Sequence, residues 1–108
     1  FKENVPDLRN SHVIDIVNGL ANRGFVVDVH DAFADADEAK AIFGIDLMPA
    51  LENASGYDCV VGAVSHTPYL DFTDETFNRL MGDTGLIADV KGMWRARALP
   101  ANFQRWQL

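Results

Sequence analysis

Cys59-Val60-Val61-Gly62-Ala63-Val64 is a short apolar run with no alternation and a high share of β-branched side chains. A strand covered on both faces has this composition, because neither face must offer polar groups to water. Downstream, Thr73 stands where a helix N-cap belongs, its hydroxyl able to accept from the free N–H groups of the first turn. Phe77, Leu80 and Met81 then share one helical face, and Gly82 marks the stop. Leu86-Ile87-Ala88-Asp89-Val90 repeats the buried-strand pattern. A strand, a helix and a second strand joined by short turns predict a parallel pair with a crossover helix.

The same alternation extends upstream. Val13, Ile14, Ile16, Val17, Leu20 and Ala21 fall on one side of a helix at about 100° per residue, with Asp15, Asn18, Asn22 and Arg23 opposite. Asn10 or Ser11 caps its start and Gly24 supplies its left-handed stop. Phe25-Val26-Val27-Asp28-Val29-His30 then reads as a central strand covered on both faces. Asp35 with Glu38 has capping-box spacing, and Asp37 and Glu38 suit the positive first turn of a helix that reaches Phe43 and stops at Gly44. Ile45 to Met48 reads as a short edge strand, and Pro49 through Ala54 as a single helical turn. The pattern as a whole predicts an α/β, Rossmann-like three-layer domain with a mainly parallel sheet. Beyond Gly92 no period is visible, so residues 93–108, with Trp94, Leu99, Pro100, Phe103 and Trp106, are expected to wrap the domain or dock on a partner.

Composition bounds the function. With 108 residues, 48% of them apolar, the chain is long enough for one core and not two, so a single domain over 1–108 is expected. A formal net charge of -7 and no basic cluster longer than Arg95-Ala96-Arg97 argue against nucleic acid as a partner. One cysteine excludes an internal disulfide framework, and no apolar run is long enough to span a bilayer, which together point to a reduced, cytoplasmic setting and no membrane contact.

Against this acidic background the cations of Phe1-Lys2-Glu3-Asn4-Val5-Pro6-Asp7-Leu8-Arg9-Asn10-Ser11 stand out. The stretch runs into a helix start, whose free N–H groups attract anions by about 0.3–1 kcal/mol through the helix dipole. Lys2 and Arg9 either add charge-assisted bonds to a phosphate, or Asp7 pairs with Arg9 and Lys2 is merely solvated. Lys91-Gly92 follows a buried strand and is a second anion candidate, since ligands of parallel sheets gather at the strands' carboxyl ends. Asp28, Asp31 and Asp89 sit at or near strand ends, where acids commonly stabilise turns, and no metal is assigned to them. Cys59 lies in an apolar run with no evident base beside it and reads as a small core hydrophobe. His12, His30 and His66 receive no role, and no Gly-x-Gly-x-x-Gly occurs.

The Phe1–Ser11 wording, together with Val29-His30-Asp31, Tyr57-Asp58, Ala63-Val64-Ser65-His66 and Asp89-Val90-Lys91-Gly92, closely resembles the C-terminal UDP-binding domain of the UDP-glucose/GDP-mannose dehydrogenase family. Glu-Asn-Val-Pro-Asp-Leu-Arg-Asn-Ser and Asp-Val-Lys-Gly look most like the branch that oxidises UDP-N-acetylhexosamines for bacterial surface polysaccharides. The resemblance implies a longer NAD-dependent enzyme that takes the sugar C6 alcohol to a carboxylate in two steps. It also implies N-terminal and central domains absent here, a homo-oligomeric whole enzyme, and a fragment boundary that truncates the first strand. Residues 1–11 become a loop facing substrate and cofactor. Phe1 and Lys2 match positions that contact the nucleotide sugar, and Arg9 matches one that reaches NAD across a domain cleft. Lys91 aligns with a substrate-contacting Arg of some relatives, keeping the charge without the planar fork. The family's catalytic cysteine lies in a Gly-Gly-x-Cys-x-Pro motif that this sequence lacks, so no catalytic residue is assigned and the chain alone is expected to be inactive. A receiver-like regulatory module is the rival reading, suggested by Asp28, Asp31 and Lys91, although the expected phosphorylatable Asp is replaced by Val64-Ser65-His66.

Overall fold

In the computed structural model, which describes residues 13–107, the chain divides into two units, Phe1–Leu51 and Glu52–Leu108. In the first, helix α1 (Val13–Asn22) keeps Val13, Ile14, Ile16, Val17 and Leu20 half-buried while Asp15 and Asn18 face solvent. Its end closes where Gly24 adopts φ 91°, with the Gly24 N–H donating to the Ala21 carbonyl at 3.1 Å. Helix α2 (Ala36–Phe43) starts on Asp35, whose Oδ1 accepts from the Glu38 N–H at 3.0 Å, and ends on left-handed Gly44. Both ends were therefore legible in the residues. Ala39 is the one fully buried side chain of α2.

Between these helices the expected central strand is corrected. Phe25 and Val26 are 62% and 93% exposed, and among the described residues, 25–30 form no strand, joining a neighbour by a parallel bridge from Val29 to Leu47, with the Met48 N–H donating to the Val29 carbonyl. Strand preference is expressed through packing against neighbours, and the run opens on two exposed apolar side chains, Phe25 and Val26. The same bridge is all that forms of the edge strand expected at Ile45 to Met48. Pro49 through Ala54 makes bends and a turn in place of a helical turn.

The second unit holds the sheet. Strands β1 (Cys59–Gly62), β2 (Gly85–Asp89) and β3 (Phe103–Gln107) lie side by side in that order, all parallel. Helices α3 (Thr67–Leu70) and α4 (Asp74–Met81) fill the β1–β2 crossover, an arrangement of the α/β, Rossmann-like kind. Thr73 caps α4 as expected, its hydroxyl oxygen accepting from the Thr76 N–H at 3.1 Å. Phe77, Leu80 and Met81 of α4 are buried with Ile87 of β2 and Phe103 of β3.

Two readings of the sequence change here. Among the described residues β1 pairs with β2 alone, and Cys59 and Val61, which share one face of the strand, are exposed, so the run is not covered on both faces. Residues 103–107, which show no period, form β3, because pairing to the buried β2 needs backbone groups and one buried anchor, Phe103, more than a repeating pattern. The β2–β3 crossover carries no helix among the described residues and is tied by arginines. Arg105 donates to the carbonyls of Trp94 and Arg97, while Arg97 donates to the Phe72 carbonyl and pairs with Asp74 at 2.8 Å.

Candidate functional site

The Cα register sets Gly62 beside Asp89 and Asp89 beside Gln107, so the three strands end level with one another. Two loops leave this carboxyl edge: Ala63 to His66 after β1, and Val90 to Trp94 after β2.

The second loop is built on one side chain. Asp89 is fully buried, and its Oδ1 accepts from the Met93 N–H and its Oδ2 from the Trp94 N–H, each at 2.9 Å. A carboxylate in such a place must have its oxygens satisfied, since burying an unpaired charge is costly. The loop opens with a β-turn in which the Gly92 N–H donates to the Asp89 carbonyl at 3.3 Å, and Gly92 takes φ 68°. Lys91 is the third residue of that turn and is exposed. The Val90 N–H is fixed in turn to the Gly62 carbonyl at 3.0 Å.

Trp94 closes the loop from below. It is buried, its Nε1–H donates to the Tyr69 carbonyl at 2.8 Å, and its ring lies edge-on to Phe77 at 5.1 Å and stacked on Phe72 at 6.0 Å. A Cβ on Gly62 would stand 2.7 Å from the Trp94 ring, so the glycine that ends β1 makes room for an indole. In the first loop His66 is fully buried at the N-cap position of α3, its carbonyl accepting from the Tyr69 N–H at 2.9 Å.

These contacts bear on which ligands the edge suits. The space over Gly62 is filled by Trp94, and the paired N–H groups of residues 93 and 94 are already taken by Asp89, so neither offers the close backbone approach that a dinucleotide pyrophosphate requires. The backbone at Gly62, Met93 and Trp94 therefore does not form the pyrophosphate cradle of a dinucleotide fold. What the β2 end does present is the exposed ammonium of Lys91 on a firmly held turn.

Of the site residues read from the sequence, Lys91 is placed at this edge, while Phe1, Lys2 and Arg9 lie outside the described residues. Asp31 serves a turn: its Oδ1 accepts from the N–H groups of Phe33 and Ala34 at 2.9 and 2.8 Å. Asp89, read from the sequence as a turn-stabilising acid, does hold the loop, and the structure adds which N–H groups it receives, those of Met93 and Trp94. Cys59, expected in the core, is exposed. Enough neighbouring atoms still crowd its sulfur that desolvation pushes the thiol pKa up, aided by the charge of Asp58 and opposed by a hydrogen bond to the Ala88 backbone. Less of it is thiolate at neutral pH than in an ordinary cysteine, which is the wrong direction for a nucleophile. Alkylation of this single cysteine by iodoacetamide, followed by mass spectrometry across pH, is expected to show a midpoint above that of a cysteine peptide; a midpoint below it would contradict the placement.

Comparison with known proteins adds the decisive observation. The profile of the UDP-glucose/GDP-mannose dehydrogenase family, UDP binding domain, matches residues 1–96. The chain belongs to this family. Protein CapL of Staphylococcus aureus is 40% identical over 108 residues, the whole of this chain and 25% of that protein. The UDP-N-acetyl-D-glucosamine 6-dehydrogenase of Salmonella typhi is 35% identical over 92 residues, 84% of this chain and 21% of the relative. The enzyme of the same name from Pseudomonas aeruginosa is 35% identical over 91 residues. The chain thus spans about a quarter or less of the relatives it matches. The resemblance carried by Phe1–Ser11 and Asp89–Gly92 holds, and the matched span takes in both loops at the carboxyl edge.

Proposed function

We propose that this UDP-glucose/GDP-mannose dehydrogenase family chain is the nucleotide-sugar-binding part of a longer, NAD-dependent enzyme that oxidises a UDP-N-acetylhexosamine to its uronic acid for surface polysaccharide. The match of residues 1–96 to the family's UDP binding domain carries the reading, and relatives named as UDP-N-acetyl-D-glucosamine 6-dehydrogenases across 84% of the chain support the sugar class. Phe1, Lys2 and Lys91 are assigned to the nucleotide sugar. In a chain of net charge -7, a diphosphate needs individually placed cations, and a charge-assisted hydrogen bond from each lysine supplies them. Arg9 is assigned to NAD, which would be held mainly by other domains of the longer enzyme and would supply the hydride acceptor. No redox step is given to the described residues.

The whole enzyme is read as cytoplasmic and homo-oligomeric. Among the described residues no helix is long and apolar enough to cross a membrane. Nothing favours the receiver-like alternative: β1 ends in Gly62 with no Asp in the loop that follows, and the buried Asp89 has both oxygens engaged.

Isothermal titration with UDP and UDP-N-acetylglucosamine tests this, on the chain and on the complete dehydrogenase. Binding is expected in both, weaker in the chain, with Lys2→Ala lowering affinity by about 10- to 100-fold, the loss of one charged hydrogen bond. The chain alone should reduce no NAD. Undetectable binding by the complete enzyme at millimolar nucleotide would sink the assignment.

A further inference from the structure

The β2 end joins a fully buried carboxylate to an exposed lysine two residues later. Asp89 spends both oxygens on the loop: one on the N–H of Met93, one on that of Trp94. Val90 is tied back to β1, Gly92 closes the turn in a left-handed conformation, and Trp94 is tied through its indole to Tyr69. Lys91 therefore rides on a turn whose flanking residues Val90, Gly92, Met93 and Trp94 are held by five hydrogen bonds.

We infer that Asp89 is a positioning residue for nucleotide-sugar binding: its carboxylate sets the turn that presents the Lys91 ammonium to the anionic part of the ligand. This rests on the nucleotide-binding reading of Lys91. Two physical reasons support it. A lysine side chain has many rotamers, and fixing its backbone removes part of the ordering cost that would otherwise be met on binding. In addition, Asp89 occupies the N–H groups of Met93 and Trp94, so these two cannot take the phosphate in place of Lys91 when the lysine is removed.

A double-mutant cycle in the complete dehydrogenase tests the inference, using Asp89→Asn, Lys91→Ala and the pair. The asparagine has the same shape but turns an NH2 against one of the two N–H groups, breaking half of the tether. Asp89→Asn is expected to raise KM for the UDP-sugar, and the UDP inhibition constant, about tenfold with a smaller change in kcat. In the Lys91→Ala background it should raise them little further. Gly92→Ala is the second variant. It strains the same turn while leaving the Asp89 side chain in place, the atoms nearest its Cβ being those of the flexible Arg95 guanidinium, and it should show the same dependence on Lys91. Multiplicative effects of Asp89→Asn and Lys91→Ala would overturn the positioning role while leaving Lys91 as a ligand contact. Unchanged KM in Lys91→Ala would overturn both the inference and the assignment of Lys91.

Discussion

Replacing Trp94 with alanine is expected to lower folding stability by about 3–5 kcal/mol, the usual cost of deleting a buried large aromatic. The ring is 2% exposed and packs on Phe72 and Phe77, each such aromatic pair adding about 0.5–1.5 kcal/mol beyond area burial. Its Nε1–H also satisfies the Tyr69 carbonyl. Removing it leaves a cavity under the β2 loop and takes away the packing that Asp89 and Lys91 rest on. Urea denaturation should show the midpoint falling with little change in slope, the signature of lost stability without a changed denatured state. Trp94→Phe should lose roughly 1–2 kcal/mol, because it keeps a ring and gives up one hydrogen bond. A loss below about 1 kcal/mol for the alanine variant would mean that the ring is not a core element.

Gly62→Ala is expected to destabilise by about 1–3 kcal/mol, an overpacking cost. The added methyl would stand 2.7 and 2.8 Å from two carbons of the Trp94 ring and 2.9 Å from the Met93 methyl. Met93 can swing aside, but the indole is held by Tyr69 and by the stacked Phe72 and cannot. Backbone freedom does not explain this glycine, which sits inside a strand; the shortage of space does. The two substitutions should therefore couple: in a Trp94→Ala background Gly62→Ala should cost far less, since the cavity accepts the methyl. Additive losses in chemical denaturation would show that Gly62 and Trp94 do not share the space described.

How much of this was readable beforehand depended on range along the chain. The caps at Asp35 and Thr73 and the stops at Gly24 and Gly44 each involve groups within about five residues, and all four stand where composition placed them. The expected strand at Phe25–His30 failed because its apolar content says what could be buried and not whether a neighbour is there to bury it. Strand β3 was missed for the converse reason: Gln104 to Gln107 are exposed, so no periodic signal marks a segment that is nonetheless hydrogen-bonded to β2. At the candidate site, Lys91 could be picked from its place after a strand, but its support could not. Asp89 looked like any turn acid until its two oxygens were seen on Met93 and Trp94.

By itself the sequence determined the β1–α4–β2 order, the caps at Asp35 and Thr73 with the stops at Gly24 and Gly44, the acidic balance that makes single cations conspicuous, and the motifs that mark the family. These follow from side-chain volume, charge and short-range hydrogen bonding, all properties of neighbouring residues. Only the tertiary structure decided that Gly62 is a glycine because of Trp94, that Cys59 lies on an exposed strand face, and that the tail after Gly92 returns as β3. Each of these depends on residues distant in the chain competing for the same space or the same backbone partner, and close packing settles that competition in three dimensions.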